Sequence, residues 1–331
     1  MINRVLLYNS GGGIGDSIQI LQLIETLKSE LKNTKLFYLS AHENHFNNVL
    51  KDYNCEIETL NLKIKYFGFR WRQILIINKK IKDHKVDSFD LIIDLQSKLR
   101  NSLILKMIPH KSFISPCLNF KLSKPSLKFN KEKKISSTTL KSINVLLEKN
   151  FQLYEFDIKK IDKKFISESE RLLPNINYVG LSVTQGNIYR KKEWPLDNFI
   201  EISNKLIKNK KIPVFFIKKS DKELKDKIKK SIPMSLFPEH ESNLSSPALV
   251  TCLGKRLDFA ITIDNGIMHM LSLSKVPMIS LFGPTDPEKF APEYEKSIVL
   301  DSKKLYKTKN ISTITVEDVL KAAKQHLNFS Y

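Results

Sequence analysis

One carboxylate, Asp16, stands where a phosphate cradle would be expected. Residues 11–17 read Gly-Gly-Gly-Ile-Gly-Asp-Ser, between the apolar run RVLLYN and the apolar-periodic IQILQLIETLKSEL. Strand, glycine turn and helix is the layout of a phosphate-binding loop. A dinucleotide fingerprint starting at Gly11 needs glycine at position 16, and a P-loop needs Gly-Lys-Ser/Thr; neither is present. The plainest role for Asp16 is to cap the helix. A carboxylate at a helix N-terminus repels phosphate, yet it can accept a proton from a sugar hydroxyl. The glycines, Gly13 and Gly15 among them, leave room for a substrate to approach the backbone. The loop also follows the first strand, at the sheet end where open α/β proteins bind ligands.

Two other stretches carry chemistry. Asp264-Asn265-Gly266 joins the strand-like DFAITI to a helix, so backbone N–H groups around Gly266 face an incoming anion. His269 lies one turn on, where a buried structural histidine is the alternative, and Pro284, Pro287 and Pro292 fix the loop after the last strand. Arg190, Lys191 and Lys192 precede another helix start at Pro195, in a position where basic residues are ordinarily solvated.

These residues need elements to hold them. RVLLYN, KLFYLS and FDLIIDL read as strands of the first half, with QILIINKKIKDH a helix between them. In the second half, NYVGLSV, IPVFFIK, DFAITI and VPMISLFG read as strands. They alternate with the helices PLDNFIEISNKLIKN, DKELKDKIKKS and GIMHMLSLSK. Strands nearly continuous in apolar residues and alternating with helices imply parallel sheets covered on both faces. The chain is therefore α/β, with two doubly wound domains facing a cleft. The polar segment Ile161–Asn177 is the linker candidate, and TVEDVLKAAKQHLNF is an amphipathic terminal helix with Thr315 and Asp318 as a capping pair.

Length and composition set outer limits. The 331 residues suffice for two cores, and 41% hydrophobic with 27% charged residues describes a folded globular chain. No apolar run approaches the ~20 residues of a membrane span. The N-terminus has too short an apolar core for a secretory signal. Cys55, Cys117 and Cys252 form no CxxC pair, which fits neither a zinc site nor a disulfide framework and suits a reducing cytoplasm. The net charge of +20 points to an anionic partner. Residues 1–170 hold 29 basic against 18 acidic residues (+11), and residues 171–331 hold 26 against 17 (+9). Two stretches stand out from this even excess. Lys98–Lys134 carries ten basic residues against the single acid Glu132, and KIKYFGFRWRQ interleaves Lys and Arg with Tyr66, Phe67, Phe69 and Trp71.

Taken together, DNGIMH…VPMISLFGPTDP, KKEWPLDNF, GDSIQILQL and FDLIIDLQSKLRNSLI resemble, in order, the lipopolysaccharide heptosyltransferases of glycosyltransferase family 9. The resemblance runs over nearly the whole chain and is strongest from Tyr178 to Pro292. The family pattern Asp-Thr-Gly with a histidine three residues on stands here as Asp264-Asn265-Gly266 and His269. The following Leu-Phe-Gly-Pro-Thr-Asp-Pro is unchanged from Leu281 to Pro287. Asn265 departs from the family threonine, Gln22 from a frequent proline, and the first loop has extra glycines.

The resemblance implies a GT-B fold of two Rossmann-like domains. Residues 1–165 would bind the acceptor and residues 166–331 the nucleotide sugar, with the terminal helix (315–328) free to pack back on the first domain. It implies inverting, metal-independent sugar transfer from a nucleoside-diphosphate donor, ADP-heptose in the best-known cases, with no cofactor. Asp16 and Lys192 become the catalytic candidates: Asp16 as general base, Lys192 against the leaving diphosphate. Gly13, Gly15, Thr184, Lys191, Asp264, Asn265, Gly266 and His269 become the substrate-binding candidates. The chain contains no Asp-x-Asp to bridge a metal. An anionic glycolipid acceptor of lipopolysaccharide-core type would suit the basic segments, with KIKYFGFRWR resting on the inner face of the cytoplasmic membrane or simply forming a solvated face. Rival readings are a GT-B transferase using another nucleotide sugar for surface polysaccharide, a non-catalytic sugar-nucleotide binder, and a basic nucleic-acid-binding protein. The even charge spread and the lack of a nucleic-acid module argue against the last, and the broken fingerprint argues against a dehydrogenase.

Overall fold

The computed structural model describes residues 2–129, 132–186 and 188–327. Contacts divide the chain into two compact units, residues 1–156 and 157–331. The first holds a five-stranded sheet: β1 (Arg4–Asn9), β2 (Lys35–Ser40), β3 (Glu58–Thr59), β4 (Phe89–Asp94) and β5 (His110–Ile114). Its strand order is β3-β2-β1-β4-β5 and every pair is parallel. The second unit holds β6 (Tyr178–Ser182), β7 (Ile212–Phe215), β8 (Leu257–Ile263), β9 (Met278–Phe282) and β10 (Ser297–Asp301). Its order is β10-β9-β8-β6-β7, again all parallel.

The apolar strands are the expected consequence of helices on both faces. Leu6, Tyr8, Ile92 and Phe113 of the first sheet pack with Ile77, Ile81, Ile104 and Leu105 of neighbouring helices. In the second, Leu181, Phe215, Ile261 and Leu281 pack with Phe199, Ile202, Leu206, Val319 and Leu320. Each sheet reverses its direction of growth at one place, between β1 and β4 in the first unit and between β6 and β8 in the second. A crevice forms at such a switch point, beyond the carboxyl ends of the strands.

Two local readings change, and a third holds. The helix expected from about Ser17 is two pieces, Ile14–Ile18 and Leu21–Glu30. Gly13, in extended conformation, is the N-cap, and Asp16 is the third helical residue. The linker candidate contains a helix, Lys163–Leu172, capped by Asp162 and packed through Phe165 and Ser169. Its partner is the helix Pro247–Gly254. With only those two side chains buried, its sequence reads as polar linker. The terminal helix Val316–Leu327 packs on the helix Leu196–Lys208 and on β9 and β10, and its entry is closed as expected. Thr315 N–H donates to Asp318 Oδ2 at 2.9 Å, and Asp318 N–H donates to Thr315 Oγ1 at 3.1 Å. Asn328 and Phe329, also in the stretch read as that helix from sequence, lie outside the described residues, as do Lys131 of the basic stretch and Asn187. Among the described residues no helix is long and apolar enough to cross a membrane.

Candidate active site

Asp16 is half-buried at the β1/β4 switch point. Its Oδ2 accepts the Gly13 N–H at 3.1 Å, so the side chain reaches back and caps its own helix start. Gly11 folds close over it: a Cβ added there would lie 2.6 Å from Asp16 Cγ. The loop is tied down from beneath by Asn9, at the end of β1. Asn9 Oδ1 accepts the Gly11 N–H at 2.8 Å and the Gln96 Nε2–H at 3.0 Å, and Asn9 Nδ2 donates to the Asp16 carbonyl at 3.4 Å. Gln96 is set in turn by Asp94, whose Oδ1 accepts the Gln96 N–H at 2.9 Å.

Asp94 is itself fully enclosed. Its Oδ2 accepts from Ser102 Oγ at 2.5 Å and Ser115 Oγ at 2.9 Å. Burial pushes its carboxyl up to about 7, against the opposing pull of those donors. On the other side of the loop, Ser17 Oγ pairs with His45 Nδ1 at 3.0 Å. Burial holds the imidazole of His45 below the usual histidine range. Asn9, Asp94, Gln96, Ser115 and His45 were not among the sequence candidates. The only sequence signal for the first three is their place at strand ends, in YNSGGG and IDLQSK.

The second cluster sits at the β6/β8 switch point. Lys192 Nζ lies 2.5 Å from Asp264 Oδ2 and 3.2 Å from the Asp264 carbonyl, with both side chains largely buried. Lys192 N–H donates to Gln185 Oε1 at 2.8 Å, which fixes the chain entering the helix Leu196–Lys208. Asn265 caps the helix Gly266–Leu273, its Oδ1 accepting the Met268 N–H at 3.0 Å. Its Nδ2 donates to Ser182 Oγ at 2.6 Å and the Thr184 carbonyl at 2.7 Å, lacing β8 to β6. The donor that Asn265 keeps in place of the threonine hydroxyl is therefore committed within the protein. His269 is buried on the same helix, whereas Lys191 is exposed, with φ of 47°. Asp264, Asn265, Gly266, Thr184 and Lys192 thus come together in the second unit, while Gly13, Gly15 and Asp16 share one helix start in the first. Among the described residues no group of three or more His, Cys, Asp or Glu side chains is placed to hold a metal ion.

Two tandem parallel α/β units, each with a polar cluster at its own switch point, define a GT-B protein. A similar architecture spans the whole of several solved structures. The glycosyl transferase family 9 protein from Veillonella parvula DSM 2008 is 18% identical, with 99% of this chain and 98% of that one covered at a TM-score of 0.69. E. coli heptosyltransferase WaaC with ADP is 14% identical, with 98% of each chain covered at a TM-score of 0.67. E. coli ADP-heptose lps heptosyltransferase II is 16% identical, with 99% of each covered at a TM-score of 0.64. No curated protein matches the sequence. The family model described as glycosyltransferase family 9 (heptosyltransferase) matches residues 77–320, and the chain belongs to that family. It is a glycosyltransferase.

Proposed function

We propose that this chain is an inverting, metal-independent transferase that moves a sugar, heptose, from a nucleoside-diphosphate donor to an anionic acceptor of lipopolysaccharide-core type. The Lys192–Asp264 pair at the N-terminus of the helix Gly266–Leu273 carries this reading: a held cation and a helix dipole converge at one switch point of a family 9 chain. The diphosphate binds there, with Gly266, Thr184, Lys191 and His269 around it. Asp16 takes the proton of the acceptor hydroxyl, whose oxygen attacks the anomeric carbon. The bond from that carbon to the diphosphate oxygen breaks with inversion, and the helix N-terminus and Lys192 stabilise the negative charge gathering on the leaving group. Asp264 orients Lys192 for that role. The lack of an Asp-x-Asp sequence supports a donor bound without a bridging metal. The acceptor is carried on lipid, so the enzyme works in peripheral contact with the inner face of the cytoplasmic membrane.

A thermal-shift screen against ADP, GDP, UDP, dTDP and CMP, each with and without magnesium, tests this. Stabilisation by ADP alone, equal in EDTA, is the expected result. Stabilisation by another nucleoside diphosphate replaces heptose with a different donor sugar. No shift with any of them removes the donor site assigned here.

A further inference from the structure

The segment 60–82 has seven Lys or Arg and no acidic residue. Its side chains divide sharply. Phe67 is in the core of the first unit and Gln73 is buried, its Oε1 accepting the Gly68 N–H at 2.7 Å. Facing out are Leu75, 82% exposed, with Trp71 (52%), Tyr66 (50%) and Ile76 (43%). Trp71, Leu75 and Lys79 follow one another at helical spacing, and Arg72 and Ile76 run beside them at the start of the helix Gln73–Asp83. Leu99, 42% exposed, begins the neighbouring helix Leu99–Leu105. A core would have hidden these apolar groups, and all the charged residues of the segment around them are basic.

The patch is anchored to the reaction loop. Tyr8 Oη donates to the Phe67 carbonyl at 2.7 Å and Arg100 Nε donates to the Gly68 carbonyl at 2.7 Å, pinning the segment to β1 and the helix after β4. The rings of Tyr66 and Phe69 lie 5.2 and 6.0 Å from the His42 imidazole, which packs against Gly12 of the Asp16 loop.

We infer that Trp71, Leu75 and Ile76, with the exposed Lys63, Lys65, Arg70, Arg72 and Lys79 of the same segment, insert into the interface of an anionic lipid bilayer. This seats a lipid-borne acceptor headgroup beside Asp16. Bulky apolar groups take up the acyl boundary and the cations meet anionic headgroups. The inference rests on the glycolipid reading above, but its test does not need turnover.

The chain has two tryptophans, Trp71 outside and Trp194 buried, so a change in tryptophan emission on binding reports Trp71. With vesicles of phosphatidylglycerol and phosphatidylethanolamine, emission should shift to the blue and the protein should float. With phosphatidylcholine alone neither should happen. Leu75→Glu/Ile76→Glu should weaken vesicle binding at least tenfold while leaving the melting temperature and the nucleotide-induced thermal shift intact. Unchanged flotation in that variant, no emission shift at low salt, or an emission shift with a single-stranded oligonucleotide but not with vesicles overturns the proposal. Vesicle binding in a protein that no nucleotide stabilises supports this surface and removes the proposed donor site instead.

Discussion

Asp16 has two parts to play, the observed cap to Gly13 within its own half-buried helix start and the proposed acceptance of the acceptor proton. An amide keeps the first and removes the second. Asp16→Asn should therefore lower kcat by about 10²–10⁴, the usual worth of a general base, with folding stability changed by less than about 1 kcal/mol. Steady-state kinetics beside a denaturant melt reads both; retained kcat would remove Asp16 from the reaction. Lys192 is different, because its loss strands a buried carboxylate. Lys192→Gln should cost about 3–5 kcal/mol of stability through the uncompensated Asp264. The double variant Lys192→Gln/Asp264→Asn should recover most of that stability but none of the activity. Recovery of both would make the pair purely structural.

At the scale of elements, each candidate side chain is only as well placed as the strand end beneath it. Gly68 closes the loop between Phe67 and the helix Gln73–Asp83 at φ of 85°, and a Cβ there would lie 2.3 Å from Tyr8 Oη. Gly68→Ala should destabilise by more than about 1 kcal/mol, seen as a lowered denaturant midpoint. Asp94 at the end of β4 ties stability to pH. Its carboxyl titrates near 7 when folded, above the ordinary carboxylate range, so the folded chain holds a proton that the unfolded chain releases as pH rises. Asp94 thus favours folding most at low pH, and that contribution is lost as pH climbs from about 4 toward 7. Glu239, pushed up to about 7 by burial, acts in the same direction in the second unit. Melts at pH 5, 6, 7 and 8 should show a shallower fall in Asp94→Asn than in the parent; parallel curves would mean that Asp94 ionises freely.

For the whole molecule, all donor-side candidates fall in residues 157–331 and the proposed base falls in residues 1–156. A nucleotide at 100 times its Kd stabilises what it binds by about 2.7 kcal/mol. Hydrogen exchange with saturating ADP should accordingly slow β6, β8 and the helix Gly266–Leu273, and leave β1, β4 and the Asp16 loop unchanged. Slowing confined to residues 1–156 would reverse the division of labour between the units.

Much of this was legible along the chain, for a physical reason. A strand covered on both faces must be apolar throughout, and a helix between strands must repeat at 3.6 residues. RVLLYN, FDLIID and DFAITI therefore declare themselves, and with them the parallel α/β class and the position of Asp16 after β1. The Leu281–Pro287 run carried the family resemblance just as locally. What sequence could not show is which strand ends meet, since that depends on strand order. Asn9 and Gln96 are 87 residues apart and touch only because β4 lies beside β1. Asn265 reaches Ser182 across 83 residues only because β8 lies beside β6. The helix Lys163–Leu172 was hidden likewise, because its partner lies some eighty residues downstream. Local propensity determined the elements and their periodicity; tertiary packing alone decided which polar side chains were buried together, and so which of them can support chemistry.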